Sequence, residues 1–192
     1  LITLDLSNNI FYGKIPISLA NLTQLEYLSL TNNNFTRGTL SWLGSQTDLT
    51  TLDLSNTSLT GSIPSSLIKL TQITYLYLKA NELEGQIPPW MGNLTKLTEI
   101  KLQQNILNGP IPESIFKLEN LELLDLQINR LGGIVKLESF LQLRNLVRLQ
   151  LSGNNLSVLT DASFNVPPPK FKLLGLAKCN LSKFPDFLRS QD

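Results

Sequence analysis

The chain has 192 residues, 42% of them hydrophobic and 16% charged, with sixteen basic and fifteen acidic side chains. A net charge of +1 gives no electrostatic attraction for nucleic acid or an anionic membrane, and no apolar run approaches the ~18 residues needed to span a bilayer. Histidine is absent, which removes Ser-His-Asp and Cys-His nucleophilic sites and histidine metal ligands.

From the first residue the chain repeats itself. Leu1, Leu4, Leu6, Asn9 and Phe11 set a frame that returns at Leu25, Leu49, Ile73, Leu97, Leu121, Leu146 and Phe171. The spacing is 24 residues five times and 25 twice. Such a register predicts one structural unit stacked eight times, because a single unit cannot bury its apolar face alone. It also predicts one domain over residues 1–192, with function on a repeated surface rather than in a pocket.

Residues 49–72 show the unit at its most regular. Leu52 and Leu54 alternate with Thr51, Asp53 and Ser55, the period of a half-buried strand. Stacked units place these strands side by side as a parallel sheet. Position nine of each unit holds Asn9, Asn33, Thr57, Asn81, Asn105, Asn129, Asn154 and Cys179. A buried amide there can satisfy the backbone of a turn inside the core; Thr57 can do part of this and Cys179 little. Gly-x-Ile-Pro follows at Gly13, Gly61, Gly85 and Gly109. The glycine permits positive φ, the isoleucine fills the core and the proline ends the strand. Ser66-Leu67-Ile68-Lys69-Leu70-Thr71 then suits a short 3₁₀ or α turn on the outer side.

Three units depart from this frame. The second has Arg37-Gly38-Thr39-Leu40 and Trp42-Leu43 without Ile-Pro. The sixth runs from Gly132-Gly133-Ile134-Val135 into Lys136–Leu143, which reads as a longer helix. The seventh replaces the insert with Val158–Val166 and Pro167-Pro168-Pro169, read as a rigid loop edge. Irregular loops are expected in all three, with the second line of extended segments interrupted there.

These motifs resemble the leucine-rich repeat family over essentially the whole chain. The Gly-x-Ile-Pro insert resembles the plant extracellular subclass. Leu151–Ser157 and Phe171–Arg189 are similar to internal repeats of plant disease-resistance receptor-like proteins. The resemblance implies an α/β solenoid: a leucine-rich repeat superhelix with a concave parallel sheet, short second extended segments and 3₁₀ or α turns on the convex side. It implies an extracellular ligand-recognition module at the plant cell surface, binding a peptide or protein and signalling through co-receptor kinases, with no cofactor. An inhibitor of secreted cell-wall-degrading enzymes, or the ectodomain of a receptor kinase, shares the same subclass. No cysteine-bearing cap precedes Leu1 or follows Asp192, so the chain is expected to be an uncapped fragment. Its open ends would expose about five large apolar side chains, roughly 8–15 kcal/mol of lost burial, and fray or self-associate.

Binding should fall on positions three, five, seven and eight, which project from the concave sheet. The middle units bring Tyr75, Tyr77, Lys79, Lys101 and Gln103 together, with Arg148 further along. Tyrosine and arginine combine contact area with a polar handle, so these six are the candidate ligand-binding residues. Position five also carries Asp5, Asp53 and Asp125. Asp125 is expected at ion-pair distance from Lys101. An open sheet excludes little water, so these carboxylates read as solvated or partner-binding and no enzyme is expected. Cys179 reads as a buried structural thiol. Six N-x-[ST] sequons occur, at Asn21, Asn34, Asn56, Asn93, Asn155 and Asn180, the pattern of an exported glycoprotein. Asn21 and Asn93 fall on the outer side, while Asn56 sits beside the turn at the concave edge.

Overall fold

The computed structural model describes residues 1–160 and 168–191. Each repeat contributes one three-residue strand: Thr3–Asp5, Tyr27–Ser29, Thr51–Asp53, Tyr75–Tyr77, Glu99–Lys101, Leu123–Asp125, Arg148–Gln150 and Leu173–Gly175. These form one eight-stranded parallel sheet in strict chain order. Pairing advances without a slip, Leu28 lying opposite Leu52 and Leu52 opposite Leu76. Leu28, Leu52, Leu76, Ile100, Leu124 and Leu149 are all 2% exposed or less. A one-residue slip would turn that whole column to solvent, so the apolar spacing opposes any such slip.

Beneath the sheet the chain turns twice. The first turn places position eight in the left-handed region in every repeat, from Asn8 at φ 53° to Ile128 at 53° and Lys178 at 60°. The position-nine amide then closes the turn. Asn105 Nδ2 donates to Leu102 O of its own repeat (3.0 Å) and Leu78 O of the preceding one (2.9 Å). Its Oδ1 accepts from Leu83 N–H at 3.0 Å. Asn81, Asn129 and Asn154 repeat this pattern. Thr57 Oγ1 donates to Leu54 O of its own repeat at 2.7 Å and more distantly, at 3.4 Å, to Asn81 Oδ1 of the next, without reaching the carbonyl of the preceding repeat. Cys179 Sγ lies 3.6 Å from Leu151 O, and burial pushes its thiol pKa up, as expected of a structural cysteine.

A second line of strands follows. Thr60–Gly61, Glu82–Gln86, Ile106–Gly109, Arg130–Lys136 and Asn155–Leu159 form a five-stranded parallel sheet, while Tyr12–Gly13 and Asn34–Phe35 pair separately. The Gly-x-Ile-Pro reading holds: Gly13, Gly61, Gly85 and Gly109 have φ between 73° and 80°. The isoleucines are buried, and Pro16, Pro64, Pro88 and Pro112 lead into 3₁₀ turns.

Among the described residues, the interruption expected in three repeats is seen at repeat two. At repeat two, a single bridge between Gly38 and Leu59 spans the gap between the two pieces of sheet. Repeats six and seven instead carry the longest pairing of this layer, five residues from Gly132–Asn155 to Lys136–Leu159. Val135 and Val158 face the core there, so β-branched apolar alternation extends the strand where the motif is lost. The helix expected over Lys136–Leu143 is a five-residue α-helix, Leu137–Leu141, whose Leu137, Phe140 and Leu141 are buried. The part of the seventh-repeat insert within 161–167, Pro167 included, lies outside the described residues. At the first repeat, Leu1, Ile2, Ile10 and Tyr12 are exposed, as is Phe184 in the last.

Two substitutions separate these contributions. Asn105→Ala leaves two buried carbonyls and one buried N–H without their partner, and is expected to cost about 3 kcal/mol or more in urea unfolding. Ile128 is a β-branched residue held at φ 53° with its side chain half exposed. Ile128→Asn is expected to stabilise by about 1 kcal/mol by the same measurement.

Candidate concave-face binding site

The invariant register determines which side chains meet on the concave face. Positions three and five lie two residues apart on one strand and point the same way, and neighbouring strands are about 4.8 Å apart. Tyr77 at position five of repeat four is therefore a diagonal neighbour of Glu99 at position three of repeat five. The Tyr77 hydroxyl donates to Glu99 Oε2 at 2.6 Å. Lys101 Nζ lies 3.1 Å from the same oxygen and 4.1 Å from the centre of the Tyr77 ring. The Tyr75 and Tyr77 rings sit 6.2 Å apart, tilted by 52°.

Glu99 is the hub of this cluster. Burial alone would push its carboxyl up. Hydrogen bonds from Tyr77 and Lys101 and the charges of Lys101 and Arg148 outweigh that and hold it below the ordinary carboxylate range. Tyr77 moves the other way: burial first, then the bond to Glu99 and that residue's charge, push its phenol far above the usual value. The cluster is thus a closed unit of donor, acceptor and cation at neutral pH that orients the Tyr77 ring, against which Tyr75 packs.

The six sequence candidates divide accordingly. Tyr75, Tyr77 and Lys101 come together around Glu99. Lys79 and Gln103 occupy position seven of the same two repeats; Lys79 is exposed, and Gln103 Oε1 is buried without a hydrogen-bond partner among the described residues. Arg148 stands two strands beyond Glu99 in column three and is exposed. Leu123, between them in register, is 8% exposed. Sequence reasoning passed over Glu99, although its diagonal relation to Tyr77 and its place beside Lys101 were readable from the columns.

Two expectations change. Lys101 pairs with Glu99 rather than Asp125, because its own strand offers a carboxylate two residues back that Tyr77 already orients. Asp125 turns to the backbone instead, its Oδ1 accepting Gln127 N–H at 3.1 Å. Asp5 and Asp53 do the same with Ser7 and Ser55. Position-five aspartates are therefore Asx turns that cap the strand end, not free acids. Burial raises Asp125 even so, against the bond from Gln127 and the charges of Lys101 and Lys79. The second change concerns exposure. Ser29 and Ser55 are 2% and 0% exposed, short side chains overshadowed by longer neighbours. Among the described residues no cluster of three or more His, Cys, Asp or Glu could hold a metal ion.

All six sequon asparagines are exposed, in different settings. Asn21 and Asn93 end the 3₁₀ turns Ile17–Asn21 and Pro89–Asn93 on the convex side. Asn34 and Asn155 open strands of the second layer. Asn56 and Asn180 sit at φ 51° and 49° with their amides engaged, Asn56 Nδ2 to Asn32 Oδ1 (3.2 Å) and Asn180 Nδ2 to Ser157 Oγ (3.2 Å).

The hub is testable through its protons. A carboxyl held lower in the folded than in the unfolded state contributes stability above pH about 4.3, lost as pH falls through the folded value. Glu99→Gln is expected to remove that acid-side contribution, seen as a flatter stability profile in acid. It also lets Tyr77 ionise at lower pH, read by ultraviolet difference titration. An unchanged Tyr77 titration would contradict the hub.

Comparison with known proteins accords with this geometry. A family model described as a leucine-rich repeat region matches residues 1–191. Receptor-like protein 50 of Arabidopsis thaliana is 45% identical over 60 residues, 31% of this chain and 6% of that protein. The chain thus aligns with only a small part of that relative's length. The ectodomain of the Arabidopsis receptor kinase HAESA, solved with an extended IDA peptide hormone, superposes with a TM-score of 0.76 at 36% identity, over 82% of this chain and 26% of that one. The PEPR1–AtPEP1 structure superposes at 0.78 with 29% identity, over 90% and 24%. No helix among the described residues is long and apolar enough to cross a membrane. With the model matching all but the last residue and the ladder, inserts and parallel sheet in register, the chain belongs to the leucine-rich repeat family.

Proposed function

We propose that this chain is the ligand-recognition part of a plant cell-surface receptor, most like the receptor-like proteins, and binds a peptide or protein on its concave face. The observation that carries this is the pre-ordered Tyr75–Tyr77–Glu99–Lys101 cluster flanked by the exposed Lys79 and Arg148. Aromatic side chains held in one conformation lose little entropy on binding, and tyrosine and arginine anchor interfaces. The similarity to the HAESA ectodomain, solved with a peptide hormone, supports a peptide ligand.

The finer reading is immune or pathogen perception, outside the cell, with a co-receptor kinase completing the signal. Its support is the similarity to receptor-like proteins and the six exposed sequons. The exposed side chains at the site set the surface offered to a ligand, while the Glu99 bonds set its shape.

Selection of a random peptide library on the immobilised chain tests the site. Clones that bind are expected to lose about tenfold or more affinity to Tyr75→Ala, Tyr77→Ala and Arg148→Ala, and little to Thr3→Ala at the far end of the sheet. Uniform binding to all of these variants would place recognition elsewhere. Stoichiometric inhibition of a secreted polygalacturonase by the chain would favour the inhibitor reading instead.

Glycan occupancy tests the exported location. After expression in plant cells, mass spectrometry is expected to find Asn21 and Asn93 occupied, and Asn56 and Asn180 largely free because their amides are held in the turn.

A further inference from the structure

The solvent side of the second line of strands changes character along the solenoid. Position fourteen of successive repeats holds Lys14, Gly38, Ser62 and Gln86, then Pro110, Ile134, Leu159 and Phe184. Ile134 is 73% exposed, Leu159 37% and Phe184 77%, and Pro110 is exposed as well. Single exposed apolar side chains are ordinary. Four in one column are not, and the core does not require them, because Val135 and Val158 beside them already point inward.

The register makes the four contiguous. Ile134 lies opposite Ser157 and Lys136 opposite Leu159, so Ile134 and Leu159 are diagonal neighbours. A Cβ on Gly133 would stand 3.8 Å from Pro110 Cβ, which puts Pro110 beside the strand that carries Ile134. Val158 N–H donates to Cys179 O, and Thr160 Oγ1 donates to Lys183 O at 3.3 Å, which puts Phe184 beside the end of the strand that carries Leu159. Each step crosses one strand and advances two residues, about 8 Å. The stripe is thus about 24 Å long and one side chain wide, with the polar Asn108, Ser157 and Ser182 of position twelve along one border.

Charge changes at the same place. Residues 130–192 hold nine basic and four acidic side chains, a net +5, whereas residues 1–129 hold seven and eleven, a net −4. Arg130 and Lys136 are exposed on the same face of their strand as Ile134. Asp186, just past Phe184, is paired with Arg189 at 3.4 Å.

We propose that this stripe docks an acidic, apolar segment of a partner protein in extended conformation. Its length is that of about seven extended residues, whose alternate side chains face one way, so apolar residues at alternate positions meet Pro110, Ile134, Leu159 and Phe184. Carboxylates elsewhere in the segment are attracted by Arg130, Lys136 and the net positive end of the solenoid. A stripe one side chain wide with a polar border offers little to a bilayer, which favours a single chain as occupant. The surface lies on the second sheet rather than the concave one and stands independently of the ligand reading.

The probe is a capped, fluorescently labelled peptide of about eight residues alternating valine with glutamate. Its counterparts alternate valine with lysine and serine with glutamate. Anisotropy titration is expected to show saturable binding of the first and at least about tenfold weaker binding of the other two. Ile134→Ser, Phe184→Ser and Lys136→Glu are each expected to weaken it about tenfold, with circular dichroism unchanged, and Tyr75→Ala on the concave face to leave it unaltered. Absence of saturable binding, equal binding of either counterpart, indifference to both serine substitutions, or loss on Tyr75→Ala would overturn the proposal. So would co-sedimentation with phosphatidylserine vesicles that depends on Ile134 and Phe184, which would assign the stripe to a membrane surface.

Discussion

The asparagine ladder is the constraint on which the rest of this molecule depends. A chain that reverses direction inside an apolar core must bring polar backbone with it, and that backbone has no access to water. From Asn33 to Asn154 each ladder asparagine answers three such groups at once, two carbonyls and one N–H, as Asn105 does, and it does so across the boundary between repeats. Leucine burial draws the repeats together without direction. The amides supply the direction, because Leu78 O and Leu102 O can both be reached from Asn105 only when the repeats stack in one register.

That register determines the concave surface. Because every strand advances by one repeat without slipping, residues far apart in the chain become fixed neighbours, and Tyr77 meets Glu99 across 22 residues. A scaffold of this kind separates two tasks. Leucines, ladder amides and inserted glycines hold the shape, and the outward positions vary without disturbing it. The position-five aspartates blur this division: they sit on the concave face, yet Asp5, Asp53 and Asp125 accept backbone N–H groups. Their removal would loosen the strand ends as well as change the charge of the surface.

The parts of the fold that rest on period and composition were readable from the sequence. The strands, the ladder, the positive-φ glycines and the 3₁₀ turns after each Ile-Pro all stand at the expected positions. What was not readable depended on which of several neighbours a side chain would choose. Lys101 had Asp125 on the next strand and Glu99 on its own, and only the orientation of Glu99 by Tyr77 decides between them. The second sheet shows the same limit in a different form. Loss of Gly-x-Ile-Pro looked like loss of structure at repeat six, but Val135 and Val158 preserve inward alternation and the pairing lengthens. At repeat two no such alternation survives, and the layer breaks.

Position eight shows how strongly the ladder governs local geometry. The left-handed conformation there is easy for Asn8, Asn32 and Gly153 but unfavourable for Ala80, Gln104 and above all Ile128. Local preference would place Ile128 in an extended strand. It adopts φ 53° because Asn129 and Asn154 both donate to Leu126 O ahead of the turn and Asn154 Oδ1 accepts Leu131 N–H beyond it, and those buried bonds together outweigh one strained residue. The same balance explains why Thr57 and Cys179 are tolerated at position nine. Each retains the apolar stack around it, Thr57 keeps the bond within its own repeat, and intact asparagines stand in the adjoining repeats. Regularity in this solenoid is thus cooperative between neighbours rather than a property of each repeat, so single departures from the motif bend the pattern locally without ending it.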